Sequence, residues 1–284
     1  MEIVDKAGTI EQKAGRLRET LAGCGRLIVA YSGGADSAFL AWSAHEMQGD
    51  RMLAVIADSA SLARTHLEDA LAFARELGIP VEVVETRELE KPEYIRNDAL
   101  RCFHCKDELF TVLERFREER GFEAIAYGVN ADDEGDFRPG QQAAREHHVL
   151  APLLEAGLQK TEIRELARRA GLRVWDKPAS ACLSSRMEYG REVTPEALSV
   201  IERGEDALRA MGFRQFRVRH HGEMVRIEIG REELGRALTT EMAAEFTSVF
   251  KGLGFKFVTL DLEGFRSGSM NQLLTTNELL RGRA

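Results

Sequence analysis

A short apolar run feeding into a glycine pair, Arg26-Leu-Ile-Val-Ala-Tyr-Ser32 followed by Gly33-Gly34, most constrains how this chain folds. An unbroken apolar run reads as a parallel strand buried on both faces. Ala38 to Met47 (AFLAWSAHEM) then reads as a helix. The unit recurs. Met52 to Ala57 reads as a second strand ending in Asp58-Ser59, residues 63–78 as an amphipathic helix stopped by Gly78 and followed by Pro80, and residues 81–85 as a third strand. A helix over 106–120 leads to a fourth strand at 124–128, and another helix spans 160–170. A polar helix over 11–23 precedes the series. Strands alternating with helices predict an α/β fold, a doubly wound parallel sheet with right-handed crossovers.

The pattern changes after residue 190. Thr194 and Pro195 suit an N-cap and first helical position, and the helix they open runs to about Met211. Two strand-like runs follow, Gln215 to Arg219 and Val225 to Ile229, joined by HHGEM. Helical segments over 232–252 and a strand at 255–262 complete the string. It predicts a smaller α+β domain over 191–284 beside a sheet domain over 1–190. His220 and His221 read as part of a surface hairpin.

The 284 residues carry 47 Asp+Glu against 39 Lys+Arg, a net charge of -8, which argues against a general nucleic-acid binder. No apolar run approaches the roughly 18 residues of a membrane span, and the first residues lack a signal peptide's apolar stretch. The chain is therefore expected in the cytoplasm, with no membrane and no nucleic-acid partner. Four cysteines are too few for a disulfide scaffold.

The most informative local feature is Ser32-Gly-Gly-Ala-Asp-Ser37. Gly33 and Gly34 let the backbone turn tightly and approach an anion. The following helix N-terminus offers unpaired N–H groups and the positive end of its dipole. Ser32 and Ser37 add hydroxyl donors, and Asp36 is placed to hold a magnesium ion bridging phosphates. No GxxxxGK[ST] occurs, so this is not the phosphate loop of kinases and GTPases. It resembles the pyrophosphatase loop of the ATP-pyrophosphatase (PP-loop) superfamily, whose members cut ATP between its α and β phosphates. That likeness implies adenosine contacts at Asp58. Gly128 and Asp132, after the fourth strand, lie at the edge where open α/β sheets bind ligands. An ordinary glycine turn, and for Asp132 a solvated acidic loop, are the plain alternatives.

Cys102-Phe-His-Cys105 is a CxxC pair, and Cys182 lies in the polar segment Lys177-Pro-Ala-Ser-Ala-Cys-Leu-Ser-Ser-Arg186. Two cysteines cannot complete a zinc site. Three converging thiolates without a fourth ligand suit a [4Fe-4S] cluster with one open iron. Three unrelated thiols are the plain alternative. Cys24, in a Gly-Cys-Gly turn, reads as structural.

SGGADS, RCFHCK, YGVNADDEGDFRPG, KPASACLSSR, FRVRHHGEMVRIEIG and TLDLEGFRSGSMN occur in this order. Together they resemble the LarE family, the ATP-dependent sacrificial sulfur transferases of nickel-pincer nucleotide biosynthesis, over about residues 15–272. The resemblance implies that ATP and Mg2+ adenylate a carboxylate of pyridinium-3,5-biscarboxylic acid mononucleotide. Sulfur then converts it to a thiocarboxylate. Some members give up the sulfur of one cysteine. Members with three cysteines carry a sulfide on a [4Fe-4S] centre, which implies Cys102, Cys105 and Cys182 as ligands here, recharged by sulfide or a cysteine desulfurase. Sacrifice of Cys182 is the alternative. Family members resemble hexamers, so a homo-oligomer is expected.

Such a substrate is anionic and needs cations. Arg217 and Arg219 alternate on a strand and share a face, suited to its phosphate, or to plain solvation. Arg186 is placed to orient a carboxylate or adenylate, Ser185 to donate a hydrogen bond, Lys106 to neutralise charge on the α-phosphate, and Glu205 to contact metal or ribose, although a surface role fits Lys106 and Glu205 as well. Arg266, Ser267 and Ser269 are placed near substrate or a subunit contact by resemblance alone. Competing readings are a tRNA-thiolating PP-loop enzyme, an amidating or nitrile-forming one, and a non-catalytic ATP-binding module.

Overall fold

The computed structural model describes residues 8–134, 139–178 and 181–266. Its helices are α1 (Ile10–Gly23), α2 (Ala35–Gln48), α3 (Arg64–Glu76), α4 (Pro92–Ile95), α5 (Arg101–Arg120), α6 (Pro139–Glu146), α7 (Pro152–Glu155), α8 (Lys160–Arg169), α9 (Pro195–Ala210), α10 (Leu234–Ala237) and α11 (Thr240–Gly252). Strands β1 (Leu27–Ala30), β2 (Met52–Asp58), β3 (Val81–Glu85) and β4 (Ala124–Tyr127) form one parallel sheet in the order β3-β2-β1-β4.

Side chains alternate across β1 as a strand requires. Leu27 and Val29 join Leu17, Leu21, Phe39, Leu40, Phe73 and Ile163 on one face. Ile28 and Ala30 join Phe110, Leu113, Ala143 and Ala144 on the other. Both faces are therefore covered by helices, which is why the run is apolar throughout. Strand β3 is only partly buried and carries Glu82 and Glu85, charges that discourage further pairing at this edge. The chain lays β2 and β3 on one side of β1 and β4 on the other. Strand order thus reverses between β1 and β4, and the loops leaving these two strands flank a crevice, the usual ligand site of an open α/β sheet.

Strands β5 (Phe216–His221), β6 (Met224–Ile229) and β7 (Phe257–Leu260) form a second, mixed sheet, β5-β6 antiparallel and β6-β7 parallel. Thr194 caps α9, its hydroxyl accepting the Ala197 N–H at 3.2 Å, with Pro195 in the first turn. Gly204 lets α9 approach closely, since a Cβ there would meet the Phe250 ring at 2.8 Å. The core of this sheet includes Tyr94, Leu183 and Met187, and Met187 makes an isolated parallel bridge with His220. The segment carrying Cys182 therefore packs against the small sheet. Among the described residues, no helix is long and apolar enough to cross a membrane.

Helix α5 begins at Arg101, earlier than the 106–120 expected. Asp98 Oδ1 accepts the Leu100 N–H at 2.8 Å and starts the turn that becomes the helix. Cys102 and Cys105 are thereby among its first five residues, on one face at i, i+3.

Candidate active site

The glycine loop joins β1 to α2. Gly33 has φ +71, and a Cβ there would stand 2.7 Å from that of Ala70. Ser37 Oγ lies 3.0 Å from Ser32 Oγ, donates to the Gly34 carbonyl at 3.1 Å and accepts the Ser32 N–H at 3.2 Å. These bonds curl the loop over the start of α2, whose first turn leaves backbone N–H groups without an intrahelical partner. Gly128 closes the opposite wall: a Cβ there would stand 2.7 Å from Ser37 N. The loops after β1 and β4 are thus in contact at the switch point.

Asp36, in the first turn of α2, accepts from Asn130 Nδ2 at 2.9 Å. Burial pushes the Asp36 carboxyl above its ordinary value, and the Asn130 amide opposes this. Asn130 is fully buried and caps the following turn. Asp132 accepts the Lys160 N–H at 2.7 Å, bringing the start of α8 to the same crevice, while Lys160 Nζ lies 3.3 Å from Asp133. Asp58, at the end of β2, is held by the Arg64 guanidinium, which also donates to the carbonyls of Ser59 and Leu62.

That same Ser59–Arg64 stretch reaches the cysteine segment. The Leu183 N–H donates to the Ser61 carbonyl at 2.8 Å, and the Arg64 N–H donates to Glu202 on α9. Cys182 precedes a single 3-10 turn, Leu183–Arg186, and is half-buried. Ser185 Oγ donates to the Cys182 carbonyl at 2.8 Å. Arg186, 1% exposed, donates to the carbonyls of Ala181 and Cys182 at 2.6 and 2.8 Å and to Ser185 Oγ at 3.0 Å. Its other edge pairs with Glu205 at 2.9 and 3.1 Å. Leu198, Ile201, Glu205 and Leu208 fall on one stripe of α9, so Glu205 is buried with the apolar residues and requires a partner. Burial alone would raise its pKa, but Arg186 holds it below the ordinary value.

Arg217 and Arg219 share a face of β5, opposite Glu228 and Arg226 of β6. Arg219 pairs with Glu228 at 2.7 Å and donates to the Ser185 carbonyl at 3.2 Å. Arg226 lies 3.3 Å from the other Glu228 oxygen, and Glu228 is fully buried. Arg217 stands over the Phe265 ring, 4.9 Å from its centroid. Burial, reinforced by Arg186, lowers its pKa to about 10. Four guanidiniums, those of Arg186, Arg217, Arg219 and Arg226, thus stand with Glu205, Glu228 and Asp261, a positively charged face suited to an anion.

Cys102 is exposed and Cys105 half-buried. Burial pushes the Cys105 thiol up, and the charges of Glu88, Cys182 and Cys102 add to this, so both other thiols lie within electrostatic range of Cys105. Among the described residues, no three His, Cys, Asp or Glu side chains group tightly enough to hold a single metal ion. Lys106 lies beside Gly140 of α6, its ammonium 5.7 Å from the Phe110 centroid. Cys24 donates to the Thr20 carbonyl at 3.2 Å. His221 meets Glu188 at 3.4 Å near the turn of the β5-β6 hairpin. Arg266 pairs with Glu263 at 2.6 Å, whereas Ser267 and Ser269 lie outside the described residues.

Several residues of the site escape the sequence reading. Asn130 sits inside the quoted GVNADD, but attention falls on its acids. Glu228 and Tyr94 read as an ordinary strand acid and an ordinary aromatic; the Tyr94 hydroxyl is hydrogen-bonded to Ser184 Oγ inside the core. Glu205 is among the expected site residues; what escapes is its buried pairing with Arg186, for which its place on the apolar stripe of α9 is the signal.

The NAD synthase family model matches residues 10–97, the stretch holding β1, the glycine loop, β2 and β3. The uncharacterized protein slr1717 of Synechocystis sp. is 41% identical over 266 residues, 94% of this chain and 99% of that protein. A glutamine-hydrolyzing GMP synthase chain of Thermococcus kodakarensis is 28% identical over 211 residues, covering 68% of this chain and 66% of its own. Pyridinium-3,5-bisthiocarboxylic acid mononucleotide synthase of Lactiplantibacillus plantarum is 34% identical over 272 residues, 95% of this chain and 98% of its own length. With a PP-loop sheet and a likeness spanning nearly the whole chain, this protein belongs to the pyridinium-3,5-bisthiocarboxylic acid mononucleotide synthase (LarE) family and is an ATP-dependent enzyme.

Proposed function

We propose that this enzyme converts a carboxylate of pyridinium-3,5-biscarboxylic acid mononucleotide to a thiocarboxylate, in two steps at one crevice. In the first, a substrate carboxylate oxygen attacks the α-phosphorus of ATP and pyrophosphate leaves. The loop N–H groups, Ser32 and Ser37 receive the phosphates, Asp36 would hold Mg2+, and Gly128 lets the loop after β4 close on the start of α2 beside the nucleotide. Asp58 and Asp132 border the nucleotide, and Lys106 stands ready to offset charge on the α-phosphate. In the second, a sulfur nucleophile attacks the acyl carbon and AMP leaves with the carboxylate oxygen. Arg217 and Arg219 take the substrate phosphate.

The observation that carries this reading is the bond network between the two halves of the site. The Asp58–Arg64 stretch touches both the nucleotide edge of β2 and the Cys182 turn. Arg186 and Arg219 bind carbonyls of that turn from the arginine cluster. In this arrangement Arg186, Ser185 and Glu205 act by fixing Cys182 against the anion-binding face.

The sulfur donor chemistry also fits the cysteines. Three thiols and no fourth ligand match a [4Fe-4S] centre, whose ligands spread over separate irons, better than a single ion. Cys102, Cys105 and Cys182 would hold it, and when bound it supplies a sulfide on an iron free of protein ligand. The small sheet with α9 and α11, residues 191–284, forms the substrate-binding and assembly unit beside the PP-loop unit of residues 1–190. Self-association completes the reading, supported by Phe257 in strand β7 and Leu262 in the turn after it, 62% and 71% exposed.

The test is anaerobic purification with iron and sulfide quantitation, then turnover with ATP and the mononucleotide. Iron-loaded protein making more than one thiocarboxylate per chain with added sulfide is expected. Iron-free protein losing a single sulfur from Cys182 per turnover would instead establish sacrifice of that residue.

A further inference from the structure

Arg101 differs from the other buried arginines of the site. Arg186 pairs with Glu205 and Arg219 with Glu228. Arg101 is 4% exposed, yet among the described residues the oxygens its guanidinium meets are neutral, Asn97 Oδ1 and, at 2.8 Å, the Ser184 carbonyl. It also lies near the Tyr189 ring, 5.6 Å to the centroid, and Cys102 Sγ at 4.0 Å. Among the described residues, no carboxylate forms an ion pair with it. A guanidinium cannot shed its proton, so a buried arginine without a counter-anion carries an uncompensated desolvation cost. Its position is also not incidental. The bond to Ser184 ties the start of α5, with Cys102, to the turn that follows Cys182.

We infer that Arg101 is a positioning residue whose fixed charge compensates an anionic sulfur species held between Cys102 and Cys182. It does this through space at Cys102 and through the Ser184 carbonyl at the Cys182 turn. The chemical class of the occupant follows: a sulfur anion, whether a thiolate, a persulfide or a sulfide-bearing centre. The inference deepens the sulfur-transfer reading for the same site, and rests on that reading only for what the sulfur does next.

The test compares iodoacetate with iodoacetamide at Cys102, in the full chain, reduced and freed of iron by a chelator. Both reagents attack the same thiolate, so their rate ratio cancels its ionisation and reports the local field. The probe is quantitative mass spectrometry of the Cys102 peptide, with N-acetylcysteine amide as reference thiol. Two opposite unit charges about 4 Å apart, even at the dielectric of water, favour the anionic reagent about fivefold. The wild-type ratio should exceed the reference by at least that factor. Arg101→Gln should abolish the excess, and Arg101→Lys, which keeps the charge but not the fork, should retain it. An excess surviving in Arg101→Gln overturns the inference. So does a wild-type ratio equal to the reference, a result that needs no variant to fold. Pyrophosphate release and thiocarboxylate formation, measured on the same preparations, separate the two claims. A chain that labels as expected but makes no thiocarboxylate refutes the function and leaves the role of Arg101 standing.

Discussion

Glu205→Leu is the most revealing single perturbation. Arg186 is 1% exposed and takes both oxygens of Glu205, at 2.9 and 3.1 Å. Removing the carboxylate strands a buried guanidinium whose neighbour, Arg217, is also positive. Breaking a buried pair from one side costs about 3–5 kcal/mol. At about 2–4 °C per kcal/mol for chains of roughly 150–250 residues, Tm should fall by about 6–20 °C. Replacing both partners, Arg186→Met with Glu205→Leu, should recover most of that loss, because no charge remains stranded. The recovered protein should still transfer sulfur poorly, because the carbonyls of Ala181 and Cys182 have lost the donor that fixes the turn. Differential scanning calorimetry of the three proteins, beside a thiocarboxylate assay, decides the matter. A single-variant Tm within about 2 °C of wild type, or a double variant as unstable as the single, would refute the reasoning.

Three further predictions follow from the nucleotide end and the outer ion pairs. Gly128→Ala places a Cβ 2.7 Å from Ser37 N and should displace the start of α2, raising the KM for ATP in a pyrophosphate-release assay; an unchanged KM would count against contact between the two loops. Burial raises the Asp36 carboxyl and Asn130 draws it back, so Asn130→Ala should move the acid limb of pyrophosphate release to higher pH. The sign on stability is opposite: folded protein holds this proton to higher pH than unfolded chain, so stability grows as pH falls through the folded pKa, and urea titrations of the variant should show that rise beginning at higher pH. At His147, burial lowers the pKa, but hydrogen bonds to Asp107 and Glu114 outweigh it and leave it raised. Its stabilisation is therefore fully present below the ordinary histidine value and lost as pH rises through the raised one. His147→Gln should remove that step from urea midpoints measured across about pH 5 to 9, and a step that persists would assign it elsewhere.

The parallel sheet was legible because burial on both faces imposes a residue choice. Leu27 to Ala30 had to be apolar throughout, and the glycine loop had to follow. The helix carrying Cys102 and Cys105 was legible only in part, since its start depends on Asp98 accepting a backbone N–H rather than on apolar periodicity. The residue types at the arginine cluster were legible, their pairing was not. Arg186 and Glu205 lie on separate elements 19 residues apart, and only the docking of α9 against the Cys182 turn makes one the partner of the other. Arg101 was hidden for a related reason: its meaning lies in the absence of a carboxylate around it, among the described residues, and composition does not report neighbours.

In the proposed reaction one crevice activates a carboxylate with ATP and replaces its oxygen by sulfur. Its most direct measurement is mass spectrometry of the mononucleotide after anaerobic incubation with enzyme, ATP and Mg2+, with pyrophosphate and AMP quantified in the same mixture. A carboxylate oxygen should be exchanged for sulfur, with one AMP and one pyrophosphate released for each sulfur gained. Formation of ADP and phosphate, or AMP release with no sulfur in the product, would contradict it.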